Sequence, residues 1–298
     1  MLIAKPELAP FASDLDEGAP FLKWAGGKTQ LLSQLERFLP DDFNAYAEPF
    51  VGSGALFFHL RRTRGFFPAI LADSNPELVN AYIIVRDKLE QLLPLLEEHQ
   101  QWHGKEHYYH VRQQKPGELG NVERAARLIY LNKTCFNGLY RVNSEGQFNV
   151  PIGSYVKPRI FDEESLRAAS DSLQQTTFLQ CDFAEIESQV SSADFVYFDP
   201  PYYPVSGTAS FTGYAMRNPM SQRTRGNVFG VDDQQRLSVT FAKLAARGSS
   251  VMLSNSDTRR IRVLYRDFQI EKVKARRAIN CDGAKRGVVD EVVILSKR

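Results

Sequence analysis

Asp199-Pro200-Pro201-Tyr202, placed directly after the apolar run Phe195-Val196-Tyr197-Phe198, constrains this chain more than any other feature. Consecutive prolines exclude helix and withdraw two backbone N–H groups from any sheet. The chain must therefore leave its strand at Asp199 in a rigid, extended loop. In open α/β sheets the carboxyl ends of strands are where ligands bind. The loop presents a carboxylate, carbonyls with no donors beside them, and an aromatic ring. That set suits the planar amino group of a nucleobase. The carboxylate and a carbonyl accept its two protons, and the ring stacks on the base. The competing reading is a proline-rich strand exit with a solvated aspartate.

A second constraint lies upstream. Tyr46 opens a short strand into Glu48-Pro49-Phe50-Val51-Gly52-Ser53-Gly54, and Ala55 to Arg62 reads as a helix. Ala69 to Ala72 reads as a buried strand ending at Asp73, with Asn75 as N-cap and Pro76 at the first position of the next helix. This is a nucleotide-binding βαβ unit. Gly52 and Gly54 let the backbone approach a ligand closely. A full dinucleotide fingerprint needs a glycine where Phe57 stands, and Pro49 fits it poorly. Asp73 follows Gly52 by 21 positions (73 − 52), the spacing at which an acid accepts hydrogen bonds from ribose hydroxyls. Turn and acid together point to a ligand carrying adenosine.

Gly27-Lys28-Thr29 resembles the end of a phosphate-binding loop, but the required glycine is Leu22, which removes the ATPase reading. Trp24 and Lys28 are instead placed over the amino-acid end of a cofactor, with Lys28 pairing its carboxylate. A core tryptophan and a surface lysine are the plain alternatives. Asp182, after the strand Thr176–Gln180, is placed against an adenine amino group, with Phe183 packing on the ring. An ordinary strand-end aspartate is the alternative there.

The 298 residues suffice for one large α/β domain with an insertion. Phe21 to Leu39 reads as a Gly-Gly turn followed by an amphipathic helix. Helical patterns continue to about residue 115 and resume over Asn121–Leu131. Phe136 to Ile152 alternates around Asn143-Ser144-Glu145-Gly146, a hairpin signal. Strands are expected over Ser250–Ser254 and Val289–Leu295 as well. The expected division is a flexible arm over 1–18, an α/β core over 19–82 and 165–298, and a mostly helical insertion over 83–164. No stretch approaches a membrane span. Three widely spaced cysteines and five histidines give neither a disulfide framework nor metal-ligand spacing, which fits a reducing cytoplasm. Net charge is only +2, but Arg217, Arg223 and Arg225, then Arg259, Arg260, Arg262 and Arg266, then Lys272, Lys274, Arg276 and Arg277 form local basic runs. Such runs track a phosphate backbone or simply solvate a face.

Taken in order, Phe21 to Lys28, Glu48 to Gly54, Leu71 to Asp73 and Asp199 to Tyr202 resemble the Dam family of DNA adenine-N6 methyltransferases, in the α-type motif order. Asn132 to Pro158, above all Phe136 to Arg141 and Gly146 to Pro151, resembles that family's DNA-reading hairpin. The likeness continues through Leu253 to Thr258. It implies a Rossmann-like methyltransferase sheet with helices on both faces, plus an inserted helical domain carrying a β-hairpin for target recognition. It implies transfer of the methyl group of S-adenosyl-L-methionine to N6 of adenine in double-stranded DNA, with the base flipped out. Asp199, Pro200, Pro201 and Tyr202 would be catalytic, and Trp24, Lys28, Glu48, Phe50, Gly52, Gly54, Asp73, Asp182, Phe183 and Asp199 would hold the cofactor. Lys23, Phe136, Asn137, Leu139, Arg141, Asn143 and Tyr155 would meet DNA. Arg141 and Lys23 would read guanines and Phe136 would fill the space left by the flipped adenine, at GATC or a related GAT-containing site. A solitary monomer or one accompanied by a restriction endonuclease both fit. The stretch from about 217 to 230 looks longer than the family's loop. Cytosine-N4 methylation is the nearest rival, disfavoured by Asp199 where serine is usual. A non-catalytic DNA-binding protein and a nicotinamide dehydrogenase are further alternatives.

Overall fold

The structure, a computed structural model, describes residues 18–24, 26–204, 229–276 and 288–296. The expected flexible arm, the 217–230 loop with its three arginines, Arg277 and Cys281 lie outside the described residues, apart from Gly18, Phe229 and Gly230.

The strands are β1 (Tyr46–Glu48), β2 (Ala69–Asp73), β3 (Thr176–Gln180), β4 (Phe195–Phe198), β5 (Ser250–Ser256), β6 (Gln269–Arg276) and β7 (Val288–Leu295). They form one sheet in the order β3-β2-β1-β4-β5-β7-β6. The first five are parallel, and β7 runs antiparallel to both of its neighbours. All four residues of β4 are buried, as expected for a parallel strand covered on both faces. Phe195 and Tyr197 pack with Tyr46, Leu56 and Leu78 on one side. Val196 and Phe198 pack with Leu237 and Phe241 on the other. This period of two is the strand's side-chain alternation, used twice.

Helices α1 (Leu32–Leu35), α2 (Ala55–Arg64), α3 (Pro76–Asp87) and α7 (Glu163–Ser172) cover the first face, and α8 (Val231–Ala246) and α9 (Arg259–Leu264) the second. The Asn75 side chain caps α3 by accepting from Glu77 and Leu78 N–H groups, with Pro76 at the first position, as the sequence indicates. Between α3 and α7 run α4 (Leu89–Gln101), α5 (Lys105–Gln113) and α6 (Asn121–Thr134). Leu92, Leu96, Leu128 and Ile129 from this segment share the sheet's core, and the boundary expected at residue 82 falls within α3. A separate cluster of Tyr108, Val111, Tyr130, Cys135, Phe148, Val150 and Ile160 supports the stretch that follows α6.

Three local expectations change. Phe21–Leu39 is not one helix: Lys28–Gln30 and Glu36–Phe38 are 3-10 turns flanking the short α1. The hairpin reduces to isolated bridges, Val142 to Phe148 and Cys135 to Ile152. Asn143 explains part of this, because its side-chain oxygen accepts from the N–H groups of Glu145 and Gln147 and builds the turn itself. Strand β6 is absent from the sequence reading. Val273 and Ala275 are its buried face. Lys272 and Lys274, part of the basic run in the sequence, alternate with them on the exposed face of an edge strand, where charge discourages further pairing.

Candidate functional site

Chain order steps from β1 outward to β2 and β3, then returns to β4 on the other side of β1. This reversal makes the carboxyl ends of β1 and β4 a topological switch point, the place where open α/β sheets bind ligands. Three carboxylates stand at the ends of adjacent strands: Glu48 on β1, Asp73 on β2 and Asp199 just after β4. Glu48 accepts from the Tyr46 hydroxyl at 2.9 Å. Burial holds its pKa well above the ordinary value, and the charge of Asp199 adds to the effect. Asp73 accepts the Asn75 N–H at 2.9 Å, yet burial pushes it up to about 6. Asp199 is likewise pushed up to about 6, by burial first, with Glu291 adding and Lys28 opposing.

The Asp199–Tyr202 loop is tied down from several elements. Lys28, 5 % exposed, places its ammonium 2.7 Å from Asp199 Oδ1 and donates to the Gly26 carbonyl at 2.7 Å. The same ammonium lies 4.7 Å from the centre of the Tyr202 ring. The Tyr202 hydroxyl donates to Glu291 Oε2 on β7 at 2.8 Å. Gln234 of α8 donates from Nε2 to the Pro201 carbonyl at 2.9 Å, and Asn255 of β5 donates to Gln234 Oε1 at 3.0 Å. Asn255 Oδ1 accepts the Tyr203 N–H at 3.1 Å, and the Ser256 hydroxyl donates to the Tyr203 carbonyl at 2.6 Å.

The glycine turn lies beside this loop. Gly52 and Gly54 have φ of +48° and +67°, and a Cβ on Gly52 would stand 2.9 Å from Trp24 Cδ1. Trp24 therefore sits against the turn and stacks on Tyr140 at 5.5 Å. Phe50 and Phe183 stack at 5.4 Å, with Phe229 edge-on to Phe50 at 5.6 Å. Asp182 pairs with Arg236 at 2.6 Å and accepts the Ala184 N–H at 3.0 Å. Two of the residues expected to contact a cofactor pair within the protein, Lys28 with Asp199 and Asp182 with Arg236.

Of the expected DNA residues, Lys23 is tied through Asn132 to the turn that carries Phe136 and Asn137. Asn132 clamps Lys23, accepting its N–H at 2.8 Å and donating to its carbonyl at 2.6 Å and to that of Gly138 at 3.1 Å. Asn137 takes a left-handed conformation, φ +56°, and Phe136 is 50 % exposed. The Lys23 ammonium lies 4.7 Å from the centre of the Tyr155 ring. Arg141 is exposed, and its Nε donates to Asn149 Oδ1 at 2.6 Å. Leu139 is half-buried against the cluster beneath the hairpin. Asn143 is spent largely on the turn.

Comparison with known proteins now decides the family. Residues 24–279 match the description D12 class N6 adenine-specific DNA methyltransferase. The chain belongs to this family. It is 42% identical to Type II methyltransferase M.MjaIII of Methanocaldococcus jannaschii over 91% of this chain and 96% of that one. It is 40% identical to Type II methyltransferase M1.LlaDCHI of Lactococcus lactis subsp. cremoris, covering 92% and 94%. A DNA adenine methylase of Escherichia coli K12 shares 36% identity over 93% and 95%. The sheet with helices on both sides is the Rossmann-like methyltransferase fold.

For this D12 methyltransferase, the sequence did not single out Gln234, Glu291 or Asn132, and Asn255 falls within the family-like stretch Leu253 to Thr258 without a role of its own. Signals existed. Glu291 is a carboxylate inside the apolar strand Val288–Leu295, and Ser254-Asn255-Ser256 is a polar triplet ending the otherwise apolar β5. Neither signal names its partner. Arg262 and Lys272 both pair with Asp257, so part of the basic run is consumed internally. No helix among the described residues is long and apolar enough to cross a membrane.

Proposed function

We propose that the chain transfers the methyl group of S-adenosyl-L-methionine to N6 of a flipped adenine in duplex DNA, at GATC or a related GAT-containing site. The observation that carries this reading is the Asp199–Tyr202 loop at the β1/β4 switch point, with carboxylate and ring side by side and the Pro201 carbonyl held by Gln234. The residues fit the cofactor. A cradle that a Cβ on Gly52 would fill lies beside Asp73, whose carboxylate supports a contact with ribose hydroxyls, and Glu48, Asp73 and Asp199 favour a cation. Trp24, Phe50, Gly54, Asp182 and Phe183 complete that side, with Lys28 free to take the cofactor carboxylate once Asp199 receives the base. The bound cofactor supplies an electrophilic methyl group. The Asp199 carboxylate and the Pro200 carbonyl accept the two amino protons and draw the nitrogen lone pair out of conjugation. Tyr202 holds the base by stacking. As the N–C bond forms, N6 gives up one proton, which Asp199 accepts and passes to solvent. Orientation and electrostatics carry the acceleration.

Residues 83–164 act as the target-recognition part and 19–82 with 165–298 as the catalytic part. Arg141 and Lys23 read guanines, Phe136 enters the vacated stack, and Asn137, Leu139, Asn143 and Tyr155 support or contact the groove. The Type II names of two relatives favour pairing with a restriction endonuclease; the enzyme itself is read as a cytoplasmic monomer. The test is transfer from isotopically labelled cofactor to duplexes carrying GATC and each single-base variant. The expected result is label on N6 of the GATC adenine, abolished by Asp199→Ala in a folded protein. Near-normal turnover of that variant refutes the mechanism. Equal labelling of all duplexes refutes the target.

A further inference from the structure

We propose that Glu291 of β7 is a positioning residue for methyl transfer, setting the Tyr202 ring and placing a second carboxylate behind Asp199. The proposal rests on the reading that Asp199 and Tyr202 receive the target adenine.

Glu291 belongs to none of the motifs that carry the family resemblance. It sits on an antiparallel strand, paired in register with Ser256 of β5. The neighbouring Val292, Val293 and Ile294 are all fully buried, so the backbone that carries Glu291 is fixed by core packing. Its Oε2 accepts the Tyr202 hydroxyl at 2.8 Å. A ring fixed only by its own rotamers would swing about the Cα–Cβ bond. Tying the far end of the ring to the sheet removes that freedom, so the stacking face is set before a base arrives. A phenol donating to a carboxylate also gains electron density in its ring, which strengthens contact with a cation. Lys28 uses that face here, at 4.7 Å.

Glu291 acts on Asp199 as well. The groups facing Asp199 are Lys28 from the N-terminal segment, Tyr46 and Glu48 of β1, Tyr197 of β4, Tyr202 of the loop and Glu291 of β7. Among the charged ones, Lys28 favours the ionised carboxylate and Glu291 disfavours it. A carboxylate raised in this way is a better proton acceptor, which suits a group that accepts the N6–H hydrogen bond and then takes its proton.

Glu291→Gln separates the two roles, because an amide oxygen still accepts from Tyr202 but carries no charge. Its acid limb of kcat/KM for DNA should move down by roughly half to one pH unit, with turnover at pH 8 within about threefold. Glu291→Ala and Tyr202→Phe should each raise KM for DNA about tenfold. Each should also weaken capture of the target base, read by 2-aminopurine fluorescence at that position. The double variant should be no worse than either single one, since both remove the same contact. An unmoved pH limb in Glu291→Gln together with additive effects in the double variant overturns the proposal. Thermal melting checks that each variant is folded, and the Gln variant carries the test if the Ala variant is not. Activity of Asp199→Ala instead refutes the underlying reading, a separate outcome.

Discussion

Lys28 and Asp199 form a 2.7 Å ion pair at the carboxyl end of β4, with the lysine ammonium also over the Tyr202 ring. A cation with N–H donors on the carboxylate and contact with the ring presents the same chemistry as the amino group of an adenine. The buried Asp199 charge is thus met by the protein's own lysine, and in the proposed reaction Lys28 changes partner as the base binds.

This pair sets a pH dependence. Asp199 has a pKa raised to about 6, so the carboxylate that accepts N6 protons in the proposed reaction becomes protonated as pH falls through that region. Methylation kcat/KM should therefore decline below about pH 6. Lys28 opposes the shift, so Lys28→Met should push the acid limb upward, opposite in direction to Glu291→Gln. A pH profile between 5 and 8.5 checks both signs. A limb that stays in place in Lys28→Met contradicts the electrostatic coupling.

Asp73 carries a second linked shift. Burial raises it to about 6 from an unfolded value of about 3.9. The folded state binds this proton more tightly than the unfolded state. The associated stability is fully present below about pH 4 and is lost as pH rises through about 6. Asp73→Asn should thus be more stable than the parent at pH 8, by roughly 1–3 kcal/mol, with the gap closing towards pH 4. It should also raise KM for the methyl donor with little change in turnover number. Thermal melts across pH and steady-state kinetics measure the two effects independently.

Gly52 is constrained twice, by φ of +48° and by the 2.9 Å approach of a Cβ to Trp24. Gly52→Ala should cost about 1–2 kcal/mol of stability from the left-handed backbone, and more if Trp24 cannot shift. Displacing Trp24 should weaken cofactor binding, read by quenching of tryptophan fluorescence on titration. Unchanged binding and stability would show that the turn tolerates a side chain.

Arg141 is exposed and aimed by Asn149, which accepts from its Nε at 2.6 Å. The guanidinium's remaining N–H donors suit a guanine O6 and N7. Arg141→Ala should relax discrimination at one guanine by roughly 1–3 kcal/mol, measured as methylation rates on single-substituted duplexes. A uniform loss on every duplex, with a shallower salt dependence, would assign Arg141 to phosphate instead.

Much of the scaffold was legible because its signals are local. Strand β4 into the double proline, the turn Gly52–Gly54 and the Asn75-Pro76 cap each declare themselves within a few residues, and all stand where the sequence puts them. Strand β6 was not legible, because its alternating lysines resemble a solvated basic run until β7 pairs with it. The hairpin was legible as a turn but not as a ladder, because Asn143 satisfies backbone donors that a longer ladder would use.

By itself, the sequence determined the chemistry on offer: a carboxylate, carbonyls without donors and an aromatic ring at a strand end, next to a glycine turn and a spaced acid. Only the tertiary structure decided how those groups are held. Gln234, Asn255, Lys28 and Glu291 come from α8, β5, the N-terminal segment and β7, and they converge on one loop because the sheet order places β1, β4, β5 and β7 side by side. Contacts between residues tens to hundreds of positions apart leave no periodicity in the chain. They exist only once burial has fixed the strands and removed the water that would otherwise satisfy the same polar groups.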